Sequence, residues 1–273
     1  MGNEKEIIAD TNKDFSVGFD TDFRFANAYY VGQMIKLAQI SEIFLKKVKG
    51  NRILDLGCGW ANFIRFYGLK YRGPGFKNPI YLGIDNNKTY IKKNKQWLDT
   101  LGNGKFAKSV SFAKCDLEGQ NLWDKLGNRK GYDMVLACEI IEHVDNREAL
   151  LKKCYDVLDD KGVLVISTPV HRKPNEGIFR INHIFHEFEY YEKDFYKAIE
   201  EHFVVHSSFG TLIETHEFKK DLRINHPQLF KLYNHLRKNL FFPPALLVAE
   251  FKILVSSLSG QIENLTLVCT RKK

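Results

Sequence analysis

The stretch ILDLGCGWANF, from Ile53 to Phe63, decides the fold of this chain. Its apolar beginning, which carries the acid Asp55, predicts a buried strand, and Gly57 and Gly59 predict a tight turn after it. A helical pattern follows from Trp60. Glycine lets the backbone approach a ligand closely, and the first turn of a helix offers unpaired N–H groups to an anionic group. The stretch therefore predicts a nucleotide-type pocket between a strand and a helix.

Length and charge limit the class of protein. The chain has 273 residues, 44% of them hydrophobic, which fits one α/β domain of about 200 residues with additions, or two small domains. The net charge of +8 favours anionic partners, but the lysines are scattered along the chain. The run Lys88, Lys92, Lys93 and Lys95 is predicted to be the solvated face of a helix. A small-molecule partner is therefore favoured over a nucleic acid.

The cysteines and the most apolar stretch bear on the location of the protein. Cys58, Cys115, Cys138 and Cys269 lie in predicted strands, and no C-x-x-C pair suggests zinc. We expect small buried hydrophobic residues in a reducing compartment, which predicts a cytoplasmic protein. The stretch Leu240 to Leu258 is interrupted by prolines and charges, so no membrane span is expected there.

Strand and helix patterns alternate beyond Arg52. The predicted strands are Arg52–Gly57, Ile80–Asp85, Ser109–Asp116, Tyr132–Cys138, Gly162–Thr168, Phe203–Phe209 and Asn264–Thr270. The predicted helices include Trp60–Lys70, Asn87–Leu101 and Asn146–Leu158, together with an N-terminal helix that ends near Lys47 and a helical stretch at about Glu217–Ser257. Continuous apolar strands that alternate with helices predict an α/β fold, in which helices cover both faces of a parallel sheet.

A second acid ends the next predicted strand, in YLGIDNN from Tyr81 to Asn87. Asp85 could accept hydrogen bonds from the two hydroxyls of a ribose, each contributing about 1.5–3 kcal/mol because the acceptor is charged. Such an acid would also serve NAD, so it indicates a ribose without naming the cofactor. The alternative is that Asp85 caps the following helix.

Five landmarks in order resemble the class I S-adenosylmethionine (SAM) methyltransferases, and especially the ubiquinone-biosynthesis type. The pattern D-x-G-x-G at Asp55–Gly59 is similar to their first motif, and the dinucleotide-binding spacing G-x-G-x-x-G is missing. The other landmarks are YLGIDNN, FAKCDLE at Phe112–Glu118, YDMVLACEIIEHV at Tyr132–Val144 and LDDKGVLVISTP at Leu158–Pro169. The resemblance covers about Ile53 to Phe203.

The resemblance implies SAM as cofactor and assigns residues to it. Asp116 would bond the adenine amine, and the backbone of Leu117 would face the adenine ring. The full set of implied cofactor-binding residues is Asp55, Gly57, Cys58, Gly59, Asp85, Asn86, Asp116, Leu117 and Glu139. Ala61 departs from the family, which often has a third glycine there. Alanine is expected to be compatible because that position mainly allows close packing.

The same resemblance implies a Rossmann-like, doubly wound, seven-stranded and mostly parallel sheet with an antiparallel last strand. More than fifty residues separate the last two strands, which implies an inserted helical cap. The expected organisation is an N-terminal aromatic and helical lid at 1–48, a SAM-binding core at 49–214, the cap at 215–260 and the final strand at 261–273.

Catalysis is expected to need a base, because the pKa of a hydroxyl acceptor lies far above 7. All nine histidines lie beyond Glu142, in the half where the acceptor should bind. His143 is the leading candidate because histidine takes up a proton near neutral pH, and Glu142 and His186 complete the predicted catalytic set. The alternative for His143 is a structural role at a helix start.

A second resemblance concerns the RNA 3′-terminal 2′-O-methyltransferases. Their divalent metal would be held here by Glu139, Glu142, His143 and His186. The plainer alternative is that this spacing is the common family motif, with His186 only positioning its loop, and no metal is predicted. The favoured function is thus a SAM-dependent methyltransferase that acts on a hydroxyl of a small molecule. The alternatives are a metal-assisted RNA methyltransferase and a noncatalytic SAM-binding protein, against which the intact Asp55, Asp85 and Asp116 argue.

Overall fold

The computed structural model describes residues 28–71, 75–119, 131–171, 188–211, 228, 231 and 264–272. The chain divides into two compact units, residues 1–31 with 214–251 and residues 32–213 with 252–273. The second unit carries the sheet. Most of the predicted cap at 215–260, and residues 1–27 of the predicted lid, lie outside the described residues.

In the part of the chain that the structure describes, eight strands form one sheet. They are β1 (Arg52–Leu56), β2 (Ile80–Asp85), β3 (Val110–Lys114), β4 (Tyr132–Cys138), β5 (Leu158–His171), β6 (Tyr190–Tyr191), β7 (Phe203–Thr211) and β8 (Asn264–Arg271). The helices are α1 (Ala28–Lys46), α2 (Asn62–Tyr71), α3 (Lys88–Thr100), α4 (Lys105–Lys108), α5 (Arg147–Val157) and α6 (Glu192–Glu200). A single 3₁₀ turn, Ile141–His143, follows β4.

The strand order is β3-β2-β1-β4-β5-β8-β7, and the short β6 pairs with β5. Strands β1 to β5 are parallel, whereas β8 runs antiparallel to both β5 and β7. The predicted fold is thereby confirmed: a doubly wound, Rossmann-like and mostly parallel sheet with an antiparallel last strand. The order reverses between β1 and β4, and open α/β sheets bind ligands at such a switch point, beyond the carboxyl ends of the strands.

Alternate residues of β4 explain why its apolar run is continuous. Met134 and Leu136 belong to one buried cluster, and Val135 and Ala137 belong to the other. The first cluster lies against α1 and α2, and the second lies against α5 and α6. Because both faces are covered, neither set of side chains meets water, as expected for a parallel sheet between two helical layers.

Three local features differ from the sequence prediction. The turn expected at Lys161-Gly162 lies inside β5, where the pairing jumps from Leu158–Tyr132 to Val163–Met134 and the intervening residues form an irregularity. Helix α2 begins at Asn62 rather than Trp60. The two-residue strand β6 and the short helices α4 and α6 were not predicted, although Phe195 and Ile199 of α6 have the i, i+4 spacing of a helix with one buried face.

Two further observations concern the cysteines and the membrane. None of the five cysteines forms a disulfide, and all but the partly exposed Cys138 are buried. This confirms that they serve as small hydrophobic residues. Within the described ranges, the helices fall short of the length and apolarity that crossing a bilayer would require. The stretch Leu240–Leu258 lies outside those ranges.

Candidate active site

The predicted site residues that the structure describes lie at one edge of the sheet, its rim, because the carboxyl ends of parallel strands lie together. Hydrogen bonds join the loops at this edge. Cys58 N donates to Ile84 O at 2.9 Å, and Cys115 N donates to Asp85 O at 2.9 Å. On the other side of the switch point, Glu139 N donates to Ser167 O at 2.9 Å. The loops after β1, β2 and β3 are therefore joined on one side of the switch point, and the loop after β4 is joined to β5 on the other side.

The glycines of the first motif have different roles. Gly57 has a φ of 65°, and a Cβ on it would lie 2.6 Å from Ile140 Cδ1, so this glycine lets the loops after β1 and β4 pack together. Gly59 has a φ of 49°, and a Cβ on it would meet no atom of the described residues within 4 Å. The space beside Gly59 is thus open to a ligand.

Ala61 also takes a left-handed conformation, with a φ of 56°, and its side chain is fully buried. The expectation that this position serves mainly for close packing is therefore incomplete. A left-handed backbone costs a residue with a Cβ about 1–2 kcal/mol. The left-handed conformations of Gly59 and Ala61 also explain why α2 begins only at Asn62, because a right-handed helix cannot include residues with a positive φ.

Asp85 links the first two strands. Its Oδ2 accepts a hydrogen bond from Gly59 N at 2.9 Å, and its Oδ1 accepts one from Asn87 N at 2.8 Å. The N-cap of α3 is Asn87, whose side chain accepts from the N–H groups of Thr89 and Tyr90. An ionised carboxylate offers about four lone pairs, so Asp85 keeps acceptor capacity for a ligand.

Asp55 is buried below the turn, and the hydroxyl of Tyr81 donates to its Oδ2 at 2.5 Å. Burial is the main cause that raises the pKa of Asp55 to about 7, and repulsion from Asp85 adds to it, whereas the Tyr81 hydrogen bond opposes the rise. The carboxyl therefore titrates near neutral pH, which is unusual for an aspartate.

The remaining predicted cofactor residues lie on the same rim. Asn86 is exposed between Asp85 and the N-cap of α3, and Asp116 is exposed with its Oδ1 accepting from Glu118 N at 3.0 Å. Leu117 is buried, and its carbonyl accepts from Lys153 Nζ at 2.9 Å. Cys58 is also buried, and burial is the main cause that raises the pKa of its thiol.

Glu139 is the first residue after β4 and is left-handed, with a φ of 53°. Its Oε1 accepts from Lys36 Nζ at 2.9 Å and from Ser167 Oγ at 2.6 Å, and its Oε2 accepts from Asn264 Nδ2 at 2.5 Å. Burial opposes ionisation, but the Lys36 ammonium and these hydrogen bonds outweigh it and lower the pKa of Glu139. Non-glycine residues in this conformation cluster at functional sites.

Glu142 carries a second buried carboxyl, three residues after Glu139 in the 3₁₀ turn, and it is only 1% exposed. Thr168 Oγ1 donates to its Oε2 at 3.0 Å, and its Oε1 has no hydrogen-bond partner among the residues that the structure describes. Burial, followed by repulsion from Glu139, raises the pKa of Glu142 well above its ordinary value. The protonated form is therefore favoured.

His143 ends the 3₁₀ turn and is partly exposed, with its N–H donating to Ile140 O at 3.0 Å. His186 lies outside the described residues. Within the described ranges, the acid and histidine ligand atoms that converge are those of Glu148, Glu201 and His202, whereas Glu139, Glu142 and His143 form no such group.

Sequence reasoning missed the partners that hold these carboxyls. Lys36, Ser167 and Asn264 all contact Glu139, although between 28 and 125 positions separate them from it. One signal was available: Lys36 occupies the buried stripe of α1, four residues before Ile40 and eight before Phe44. A lysine at such a position needs a buried partner.

Comparison with known proteins agrees with this geometry. The family model described as "Methyltransferase domain" matches residues 47–233. A sphingolipid C9-methyltransferase of Komagataella phaffii is 29% identical over 201 residues, covering 66% of this chain and 34% of that protein. The mitochondrial ubiquinone biosynthesis O-methyltransferase of Rattus norvegicus is 32% identical over 126 residues, which cover 45% of this chain and 32% of that protein.

Among solved structures, the 4+2 cyclase SpnF superposes with a TM-score of 0.59 at 14% identity, covering 93% of this chain and 84% of that one. At this identity the likeness concerns the fold alone. The chain spans about a third of the length of the two curated relatives. The family match, the strand order and the ordered motifs agree, and the chain belongs to the methyltransferase domain family, among the class I SAM-dependent methyltransferases.

Proposed function

We propose that this protein transfers a methyl group from SAM to a hydroxyl of a small-molecule acceptor. The observation that carries the proposal is the joined pair of Gly59 and Asp85 beside the switch point between β1 and β4. Open space lies next to the glycine, and a carboxylate with spare acceptor capacity lies next to that space. A nucleoside with two free ribose hydroxyls fits this arrangement.

The rim offers groups for each part of SAM. Asp85 would accept hydrogen bonds from the ribose hydroxyls, with the exposed Asn86 beside it. Asp116 and the backbone of Leu117 would bind adenine. The turn from Gly57 through Cys58 to Gly59, with Asp55 below it, would hold the methionine part, and Glu139 would close that end across the switch point. The donor set therefore fits the cofactor that the family implies.

When bound, SAM supplies an electrophilic methyl group on a sulfonium. The chain must orient an acceptor for in-line attack and exclude water. His143 is the proposed base: a ring nitrogen takes the hydroxyl proton as the C–O bond forms and the C–S electron pair passes to sulfur. The protonated Glu142, buried one residue earlier, would help to hold the 3₁₀ turn through Thr168. His186 remains a proposed member of this set.

The metal-assisted alternative is less well supported. The Glu139 carboxylate already accepts hydrogen bonds from three side chains, one of them an ammonium. Among the described residues, the ligand atoms of Glu139, Glu142 and His143 do not converge on one point. A noncatalytic role is the other alternative, and the likeness to a cyclase illustrates that this fold alone does not specify methyl transfer.

We propose that the acceptor is selected by the lid at 1–48 and the cap at 215–260. Tritium-labelled methyl SAM, incubated with separated small-molecule, lipid and RNA fractions, tests the acceptor class. Label that enters the small-molecule or lipid fraction in the presence of EDTA, resists mild alkali and is released as methyl iodide by hydriodic acid indicates an ether product, whereas a C-linked methyl group is not released. His143→Ala should lower the transfer while SAM binding persists. EDTA-sensitive label in RNA would favour the alternative, and no transfer to any fraction would favour a noncatalytic role.

A further inference from the structure

A buried ammonium lies behind the carboxylate at the switch point. Lys36 Nζ donates to Ser167 Oγ at 2.6 Å and to Glu139 Oε1 at 2.9 Å, and Asn264 Oδ1 lies 3.5 Å away. Each of its three protons therefore has an acceptor. The Lys36 side chain is 3% exposed, whereas that of Glu139 is 30% exposed. The carboxylate is thus the member of the pair that a ligand can reach.

The backbone around Glu139 fixes where this pair acts. Ile140, the next residue, packs on Gly57 of the turn after β1. The pair therefore lies at the crevice between β1 and β4, on the side opposite to Asp85. Since Asp85 would hold the ribose, the opposite side is where the sulfur of a bound nucleoside would lie, and this step rests on the proposed function.

The charge of the pair matters because methyl transfer changes the charge of the sulfur. SAM carries a sulfonium cation, and its product S-adenosylhomocysteine (SAH) carries a neutral thioether. A carboxylate without the ammonium would bind SAM more tightly than SAH. It would stabilise the reactant, and stabilising the reactant does not lower the barrier of the chemical step. A bare ammonium would do the reverse.

We propose that Lys36 is a positioning residue that neutralises Glu139 and so sets the preference of the site between SAM and SAH. The quantity to measure is the ratio of the affinities for SAM and SAH, because the two ligands differ only in the methyl group and the charge at the sulfur. A mutation that merely distorts the fold weakens both ligands alike and leaves the ratio unchanged.

Isothermal titration of SAM and of SAH at pH 8.5 tests the proposal with three variants. Lys36→Met leaves a lone carboxylate, which attracts the sulfonium of SAM but not the thioether of SAH, and should raise the preference for SAM over SAH by a factor on the order of ten. Glu139→Gln leaves a lone ammonium and should lower the preference by about tenfold. The double variant should restore the wild-type ratio.

Lys46→Met is the matched control, because Lys46 lies on the same helix and forms an exposed ion pair with Glu42 at 3.4 Å. Its ratio should equal that of the wild type. Breaking a buried pair can unfold a protein, so if Lys36→Met does not fold, Glu139→Gln and the double variant decide. Equal changes for both ligands in the folded variants overturn the proposal. Wild-type protein that binds neither ligand overturns the proposed function instead.

Discussion

Replacing Asp55 by asparagine should stabilise the fold at neutral and alkaline pH. The carboxyl is buried, and burial is the main cause that raises its pKa to about 7. The unfolded chain has a pKa of about 3.9 at such a residue, so the folded state binds the proton more tightly. The stabilisation from this proton is complete below about pH 4 and is lost as the pH rises to about 7.

The size of the effect follows from the two pKa values. The folded and unfolded pKa values of Asp55 differ by about three units, and each unit corresponds to about 1.36 kcal/mol. The free energy of unfolding of the wild type therefore falls by about 4 kcal/mol as the pH rises from 4 to 8. Asparagine keeps an acceptor for the Tyr81 hydroxyl and carries no charge. Because structural relaxation reduces the cost of burying a charge, we expect Asp55→Asn to gain about 2–4 kcal/mol at pH 8 and almost nothing at pH 4.

Urea unfolding of both proteins from pH 4 to pH 8 measures this difference directly. Asp99→Asn, at an exposed position of α3, is the control and should leave the pH dependence unchanged. SAM affinity should fall in Asp55→Asn, since the variant lacks a negative charge below the glycine turn. The reasoning is refuted if Asp55→Asn is no more stable than the wild type at pH 8, or if the difference does not vary with pH.

Three further predictions concern the same rim. Gly57→Ala should destabilise the fold by about 1–3 kcal/mol, through left-handed strain and the contact with Ile140. Gly59→Ala introduces the same left-handed strain without that contact, so it should destabilise the fold less and should also weaken SAM binding. A Gly59→Ala variant that loses as much stability in urea as Gly57→Ala, or that binds SAM as tightly as the wild type in calorimetry, would contradict this. Glu142→Gln should raise the melting temperature at pH 8 but not at pH 4. Burial first, and then repulsion from Glu139, raises the pKa of Glu142, so the wild type loses stability when this carboxyl ionises at high pH and the uncharged glutamine does not. A melting temperature below that of the wild type at pH 8 would count against this prediction. Ala61→Gly should change the free energy of unfolding by less than about 1 kcal/mol. The relief of left-handed strain is offset by the greater conformational entropy of glycine in the unfolded chain and by the loss of a buried methyl group. A urea midpoint far from that of the wild type would refute this prediction.

The sheet could be predicted because its determinants are local. Each central strand is a continuous apolar run, and an acid or glycine marks where several of them end, as at Asp55, Asp85 and Glu139. Those endings placed the cofactor residues on one rim. The irregularity in β5 could not be predicted, because it depends on how Leu158 and Val163 pair with β4 rather than on the residues between them.

The electrostatics of the site could not be predicted, because they depend on contacts between distant segments. Lys36 and Glu139 are 103 positions apart, and neither position alone indicates the other. The raised pKa of Asp55 depends on burial below the glycine turn, a property of the packed sheet. The conformation of Ala61 was missed, although the glycine that the family often has at this position is the residue that most readily takes a positive φ.

The most direct test of the SAM site is isothermal titration of SAM into wild-type protein and Asp85→Asn. Asparagine retains an acceptor oxygen for only one of the two backbone N–H groups that Asp85 binds, those of Gly59 and Asn87, so circular dichroism must confirm that the variant is folded. We predict one SAM per chain in the wild type and an affinity at least about tenfold lower in the variant, since hydrogen bonds to a charged acceptor contribute about 1.5–3 kcal/mol each. Unchanged affinity in a folded Asp85→Asn, or no SAM binding by the wild type, would contradict the assignment.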